Sequence, residues 1–318
     1  MTEQTKVMSM SEAVSRFVQD GDTVYLGGFV QHEPYAAVHE IIRQHKQNLT
    51  ISRCAGIIIV DLLVGAGCVD KVITSYVWNT VPKPAHAFKR AVEKGFPRPV
   101  EVEDYTVLTM TLAYFAGACD LPFIAAKTPL GSDIVSRRAF RGEDKFKVID
   151  SPFTGEKVCL IPPLKHDVGI IQIQRADTDG NGQAWGVLGD SKYGINSCQK
   201  VILCVEEIVK QEVIRKDPNR TIIPGFKVCA VVEEPWGGHP SYVTGYYDLD
   251  WPYFLYYDDA TRTPEGFAAY LDKWVYSVKN RQEYLKLLGE ERLQKLKAGI
   301  QLSGQVNYGK YKPWGGEA

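Results

Sequence analysis

The chain has 318 residues, enough for a large core in one or two domains. Hydrophobic residues make up 45% and charged residues 24%, the balance of a soluble globular protein rather than a fibrous or disordered one. The net charge of −1 gives no overall field that would favour nucleic acid or an anionic membrane.

The opening residues MTEQTKVMSM have no apolar segment behind a basic one, so no leader peptide is expected, and no apolar run reaches the ~20 residues of a membrane helix. Seven cysteines are scattered without metal-ligand spacing; buried thiols in a reducing cytoplasm are the simplest account.

Ser9-x-x-Glu12 is a capping-box pattern ahead of a helix with Ala13, Val14, Phe17 and Val18 on one face. The stretch that organises the rest is Gly21 to Tyr35. Asp22 to Leu26 reads as a strand and ends in Gly27-Gly28. Pro34 then opens a helix over 36–44. A strand, two glycines, a loop and a helix mark the place where an open α/β sheet binds ligands, and the same pattern equally serves as a plain tight turn. The stretch lacks G-x-G-x-x-G and G-K-[ST], so it is neither a dinucleotide fingerprint nor a P-loop. The backbone N–H groups of Gly27, Gly28 and Phe29 are candidate donors to a carboxylate or an oxyanion. His32 and Glu33, in the same loop, are the weaker candidates for acid, base or nucleophile.

Residues 49–54 alternate like a strand and run into the apolar stretch 57–64. A further strand over 69–77 brings Ser75, Asn79 and Thr80 to its end, all able to hydrogen-bond a substrate. Segments 82–95 and 104–119 read as helices, and 121–126 as a buried strand. Gly131 and Ser132 form another strand-end loop, and 136–155 reads as a polar surface excursion.

In the second half, strand runs occupy 157–161, 168–174, 200–205 and 227–232, with a turn cluster at 175–182 and a helix over 207–215. Asp177, Asp179 and Asn181 fit an Asx-rich turn better than a calcium loop. His239 suits a structural hydrogen bond more than chemistry. The run Lys83, Lys89, Arg90 and Lys94 fits a solvated helix face, or else a phosphate contact. Residues 264–298 are helical, and 301–318 carry no pattern.

Alternating strands and helices imply an α/β fold with an open, mostly parallel sheet and helices on both faces. The expected division is an α/β domain over 1–260, with a helical C-terminal appendage over 261–318 packed on it.

LGGFVQHEPYAAV, ITSYVWNT, EDY at 103–105, LPF at 121–123 and GSD resemble the A-type half of the glutaconate CoA-transferases, within the class I CoA-transferases. So do DVGIIQIQRADTDGNGQAWG, VEEI at 205–208, IPGF, VCAVVEEPWGGHPS and GYYDLDWPYF, in the same order along nearly the whole chain. The resemblance implies an α-type subunit that works in a hetero-oligomer with a β subunit. It also implies transfer of CoA between an acyl-CoA and a small, glutaconate-type (di)carboxylic acid, with the CoA thioester as substrate and no permanently bound cofactor. The nucleophilic glutamate of that family stands on the β subunit in a Ser-Glu-Asn-Gly-like context. This chain has no such motif, so its expected task is half of a shared pocket that excludes water. The segment matching Asn79-Thr80 faces the acid substrate in that family.

Two departures stand near this corner. The loop VQHEP is one residue short and lacks a basic pair, and IIIVD follows Ala55-Gly56. Together they suggest less positive charge, more aliphatic surface and a larger or more apolar acyl group. Two alternatives stay open: a thioester hydrolase, C–C hydrolase or decarboxylase on the same two-subunit scaffold, and a non-catalytic stabilising subunit. On the ligand-facing reading, Gly28→Val should abolish turnover and spare the fold.

Overall fold

A computed structural model describes residues 5–79, 83–140 and 142–298. Seven parallel strands form its centre: β1 (Thr23–Leu26), β2 (Leu49–Ser52), β3 (Val69–Thr74), β4 (Glu101–Asp104), β5 (His166–Ala176), β6 (Cys198–Ile208) and β7 (Val228–Glu233). Their order is β7-β6-β5-β1-β2-β3-β4. From β1 the chain moves outward through β2, β3 and β4, then returns to β5 and moves outward the other way. The topological switch point therefore lies between β1 and β5, beside the double glycine. Two short strands, Gly182–Gln183 and Thr221–Ile223, extend the sheet antiparallel beyond β5.

Alternation along the strands sends side chains into two cores. Val24, Leu26, Ile51, Ile170 and Ile202 face one side, which is covered by α1 (Met10–Phe17), α2 (Tyr35–Arg43), α3 (Ile58–Gly65) and α4 (His86–Lys94). Tyr25, Ile73, Ile171 and Leu203 face the other, covered by α5 (Val107–Ala118) and α6 (Ser191–Asn196). A three-stranded antiparallel sheet, Ile124–Ala126, Lys157–Ile161 and Lys147–Asp150, adds to this second side. Both faces of the parallel sheet are thus buried, as such sheets require.

The short helix α7 (Gln211–Lys216) follows β6. The C-terminal segment folds as α8 (Trp251–Ala260), α9 (Pro264–Leu271), a π-helical turn at Asp272–Tyr276, α10 (Arg281–Leu288) and α11 (Glu290–Leu296). Tyr253, Tyr257, Phe267, Tyr270 and Trp274 enter the first core directly.

The structure corrects several boundaries. The expected strand over 121–126 is only Ile124–Ala126 and half-exposed, because its small sheet shows one face to solvent. The strand over 69–77 breaks at Ser75; Tyr76–Val77 pairs separately with Ala55–Gly56. The helix over 207–215 starts later, because β6 continues to Ile208. The polar excursion contains the exposed strand Lys147–Asp150. Cys119 is exposed and Cys229 half-buried, whereas the other five thiols are buried. Ser9 caps α1 as its spacing indicates, accepting from the Glu12 N–H at 3.2 Å. The segment 301–318 lies outside the described residues.

Candidate active site at the switch point

The loop after β1 is tightly specified. Gly28 has φ +104°, and the non-glycine residues Val30 and His32 have φ 62° and 64°. Positive φ at a β-branched residue is rare and costs energy, and such strain gathers where function demands a shape. A Cβ on Gly28 would stand 2.5 Å from the Gln31 carbonyl oxygen, so the loop folds back onto this glycine.

Each candidate donor of the double glycine is already engaged. Gly27 N–H donates to Ile170 O (2.8 Å), Gly28 N–H to the Ser191 hydroxyl (3.0 Å) and Phe29 N–H to Gln31 O (2.8 Å). The expectation of three free amides is corrected: the ladder to β5, the start of α6 and the loop itself use them. Phe29 instead offers its exposed ring, with its Cβ beside Gly189.

His32 is fully buried, and both ring nitrogens are committed. Nε2–H donates to Gln174 Oε1 (3.0 Å), and Nδ1 accepts from Gln31 Nε2 (3.2 Å). Burial lowers its pKa to about 4, the Gln174 bond opposing. It is a neutral lock holding the loop on β5, which corrects its candidacy as acid or base.

Glu33 is also fully buried. Its Oε1 accepts from Arg53 Nη2 (2.6 Å) and from Val30 N–H (3.0 Å). Burial raises the carboxyl to about 7, and Arg53 opposes that rise. A carboxylate enclosed this way is no accessible nucleophile, so Glu33 too is structural. Arg53 also donates from Nη1 to Leu26 O (2.8 Å) and Gly27 O (2.6 Å), and from Nε to Ala55 O (2.8 Å). One guanidinium thus ties together the ends of β1 and β2 and the loop. Sequence reasoning missed this residue, although an arginine inside the apolar run LTISRCAG was a signal: a charge there needs a buried partner. It missed Ser191 and Asp190 as well. Asp190 accepts from Tyr25 OH (3.3 Å), and burial raises its pKa, Arg53 opposing.

Ser75 is half-buried and donates to Cys54 O (2.5 Å). Burial pushes the Cys54 thiol up to about 11, so it is not a thiolate. Asn79 is buried and turned toward α8, its Nδ2 donating to Pro84 O (3.0 Å) and Asp258 Oδ1 (3.4 Å). Asp258 also receives Lys83, His86 and Arg262. Thr80 lies outside the described residues. Gly131 and Ser132 sit in an exposed turn where Ser132 Oγ donates to Pro129 O (2.7 Å). The aliphatic stretch Ile57–Val60 is core, not pocket surface, which corrects the expectation drawn from it.

Away from the corner, Asp177 spends its carboxylate on Asp179 N–H, Asn181 N–H and Asn181 Nδ2, an Asx turn. His239 bridges Tyr284 OH and Asp250 Oδ2, each at 2.8 Å, a structural clamp.

Around the switch point the C-terminal edge of the sheet is apolar and open. Phe29, Tyr76, Trp78, Val107 and Leu108 are 39–56% exposed there, on the segments following β1, β3 and β4. No helix among the described residues is long and apolar enough to cross a membrane.

The family model for coenzyme A transferase matches residues 7–234. The A-type component of 3-oxoadipate CoA-transferase from Pseudomonas knackmussii is 36% identical, covering 90% of this chain and 99% of that one. The A-type component of glutaconate CoA-transferase from Acidaminococcus fermentans is 37% identical, covering 92% and 95%. The crystal structure of glutaconate coenzyme A-transferase from the same organism superposes with a TM-score of 0.87 at 35% identity, over 95% of this chain and 99% of that one. Both relatives are named as one component of a larger enzyme, which implies a partner chain. With this family match, these identities and the shared open α/β architecture, the chain belongs to the coenzyme A transferase family and is a CoA-transferase.

Proposed function

We propose that this chain is the A-type half of a heteromeric enzyme that moves CoA between an acyl-CoA and a small, glutaconate-type carboxylic acid. The observation that carries the reading is the state of the carboxylates at the switch point. Glu33 is sealed against Arg53 and Asp190 is buried against Tyr25. A carboxylate nucleophile for acyl transfer must then come from a partner chain, seated on the apolar rim of Phe29, Tyr76, Trp78, Val107 and Leu108.

In this arrangement the chain shapes one wall of the pocket. Gly27 and Gly28 let Ile171 and the 31–33 loop pack against the end of β1, which shapes the corner, and the Phe29 ring and the Ser75 hydroxyl are the groups proposed to meet the acyl or acid portion. Thr80, Gly131 and Ser132 stay in the proposal as outer contacts, whereas Asn79 serves it indirectly, by its hydrogen bonds to Pro84 and Asp258. Closing the two chains over the thioester excludes water, which would otherwise hydrolyse an acyl-carboxyl anhydride. The CoA thioester enters as substrate. The cytoplasm, where acyl-CoA is held, is the proposed location.

The test is co-expression with the candidate partner and mass-spectrometric assay of acyl-CoA and acid pairs. The pair should exchange CoA while the isolated chain exchanges none. Turnover by the isolated chain, or release of free CoA without transfer, would overturn the reading.

A further inference from the structure

The donors gathered around the loop after β1 are committed within the fold. The amides of Gly27, Gly28 and Phe29 are bonded, and the Ser75 hydroxyl donates to Cys54 O. Arg53 is 1% exposed and spends its guanidinium on Glu33 and three carbonyls. A carboxylate brought into this corner still needs a donor, because a desolvated anion without one is costly.

Asp190 is the polar side chain there with an uncommitted oxygen. It directly precedes α6. Before it, Gly189 packs against the Phe29 side chain; after it, the Ser191 hydroxyl accepts from Gly28 N–H. Both neighbours touch the tip of the loop after β1, which places residue 190 at the crevice outside the strand ends. Asp190 is 7% exposed. The Tyr25 hydroxyl reaches Oδ2 at 3.3 Å, a long bond, and apart from its own N–H no donor among the described residues reaches Oδ1. Glu33 Oε2 is sealed without a partner, whereas Asp190 Oδ1 is not.

The titratable groups around this carboxyl are Tyr25 on β1, Arg53 and Cys54 after β2, Tyr76 after β3 and Tyr114 on α5. Lys192, on its own helix, is exposed. Burial raises the three tyrosines and the thiol, so they are neutral, and Arg53 is already paired with Glu33. Burial also raises Asp190, Arg53 opposing. A carboxyl in its acid form does not repel an anion, and an O–H donated to a carboxylate is a short, strong hydrogen bond.

We propose that Asp190 is a substrate-binding residue for the acid half of the exchange, its carboxyl O–H donating to the carboxylate of the incoming acid. This rests on the transfer reading above. The co-expressed complex is assayed as wild type, Asp190→Asn and Asp190→Ala, with acid and acyl-CoA varied in turn from mildly acidic to alkaline pH. In wild type the KM for the acid should rise with pH while that for acyl-CoA stays level. Asp190→Asn keeps a donor that does not titrate, so the KM for the acid should become independent of pH. Asp190→Ala should raise that KM about tenfold at neutral pH. A pH-independent KM in wild type, or an Asn variant as impaired as the Ala variant, would overturn the proposal and leave the transfer reading standing. A second measurement does not depend on turnover. Infrared difference spectra of the full chain, wild type minus Asp190→Asn, should show a protonated carboxyl at neutral pH that gives way to carboxylate as pH rises. Carboxylate alone at neutral pH would overturn the proposal even if the complex exchanged no CoA.

Discussion

Glu33 and Arg53 meet 2.6 Å apart with both side chains buried, and the same guanidinium holds the carbonyls of Leu26, Gly27 and Ala55. The pair sets the shape of the switch-point corner. Breaking a buried pair from one side strands the other charge, at about 3–5 kcal/mol. Arg53→Met should lower stability by that amount in urea unfolding. The double variant Arg53→Met with Glu33→Gln should recover part of it. Equal losses in the single and double variants would show that the carbonyl bonds, not the ion pair, carry the stability.

Glu206 sets a pH dependence of known sign. Burial raises its carboxyl from 4.5 to about 7, hydrogen bonds from Trp236 N–H, Tyr247 and Gln172 opposing. The folded state therefore holds its proton through a range where the unfolded chain has released it. The contribution to stability is complete below pH 4.5 and is lost as pH rises to about 7. Burial lowers the pKa of the buried His32, His39, His166 and His239, which act in the opposite sense but are common to wild type and variant. The stability of wild type minus that of Glu206→Gln should thus fall across this window, by no more than about 3 kcal/mol. A flat difference would mean that the carboxyl titrates normally.

Gly28 is constrained by its own loop. A Cβ would meet Gln31 O at 2.5 Å and the His32 carbonyl carbon at 2.8 Å, at φ +104°. Gly28→Val should therefore lose stability as well as turnover, by about 1–3 kcal/mol from backbone strain alone. This replaces the expectation of a spared fold. Ser191→Ala is the companion: it removes the hydroxyl that accepts from Gly28 N–H without adding bulk, and should cost about 1–3 kcal/mol. Thermal unfolding of both variants checks the pair.

The exposed apolar rim should answer to charge. Trp78→Glu and Phe29→Glu place a carboxylate on a surface the proposal covers with a partner. Burying it unpaired should weaken assembly by about 2 kcal/mol or more, some thirtyfold. The unfolding of the isolated chain should not change. Sedimentation of the co-expressed complex measures the effect, and unaltered assembly in both variants would place the partner elsewhere.

Much of the fold was legible in the sequence. Capping at Ser9, the strand before Gly27 and the alternation of apolar runs with helical periods are local features, and local features follow from backbone preference and burial period. The order of short motifs also pointed to the family.

What the sequence determined by itself was therefore the class of fold, the strand, double glycine and helix at the switch point of the sheet, and the lack of a Ser-Glu-Asn-Gly-like motif in this chain. Only the tertiary structure decided which polar groups at that corner are free. Ser191 lies 163 residues from Gly28, and Gln174 lies 142 from His32, yet they consume the hydrogen-bonding capacity that made the amides of the one and the ring of the other look available. Arg53 likewise needs β2 to lie beside β1 to find Glu33 and the carbonyls of Leu26 and Gly27. A donor is available to a ligand only when no partner from a distant segment has reached it first. That depends on which strands lie side by side, a property of the folded sheet rather than of any one stretch of chain.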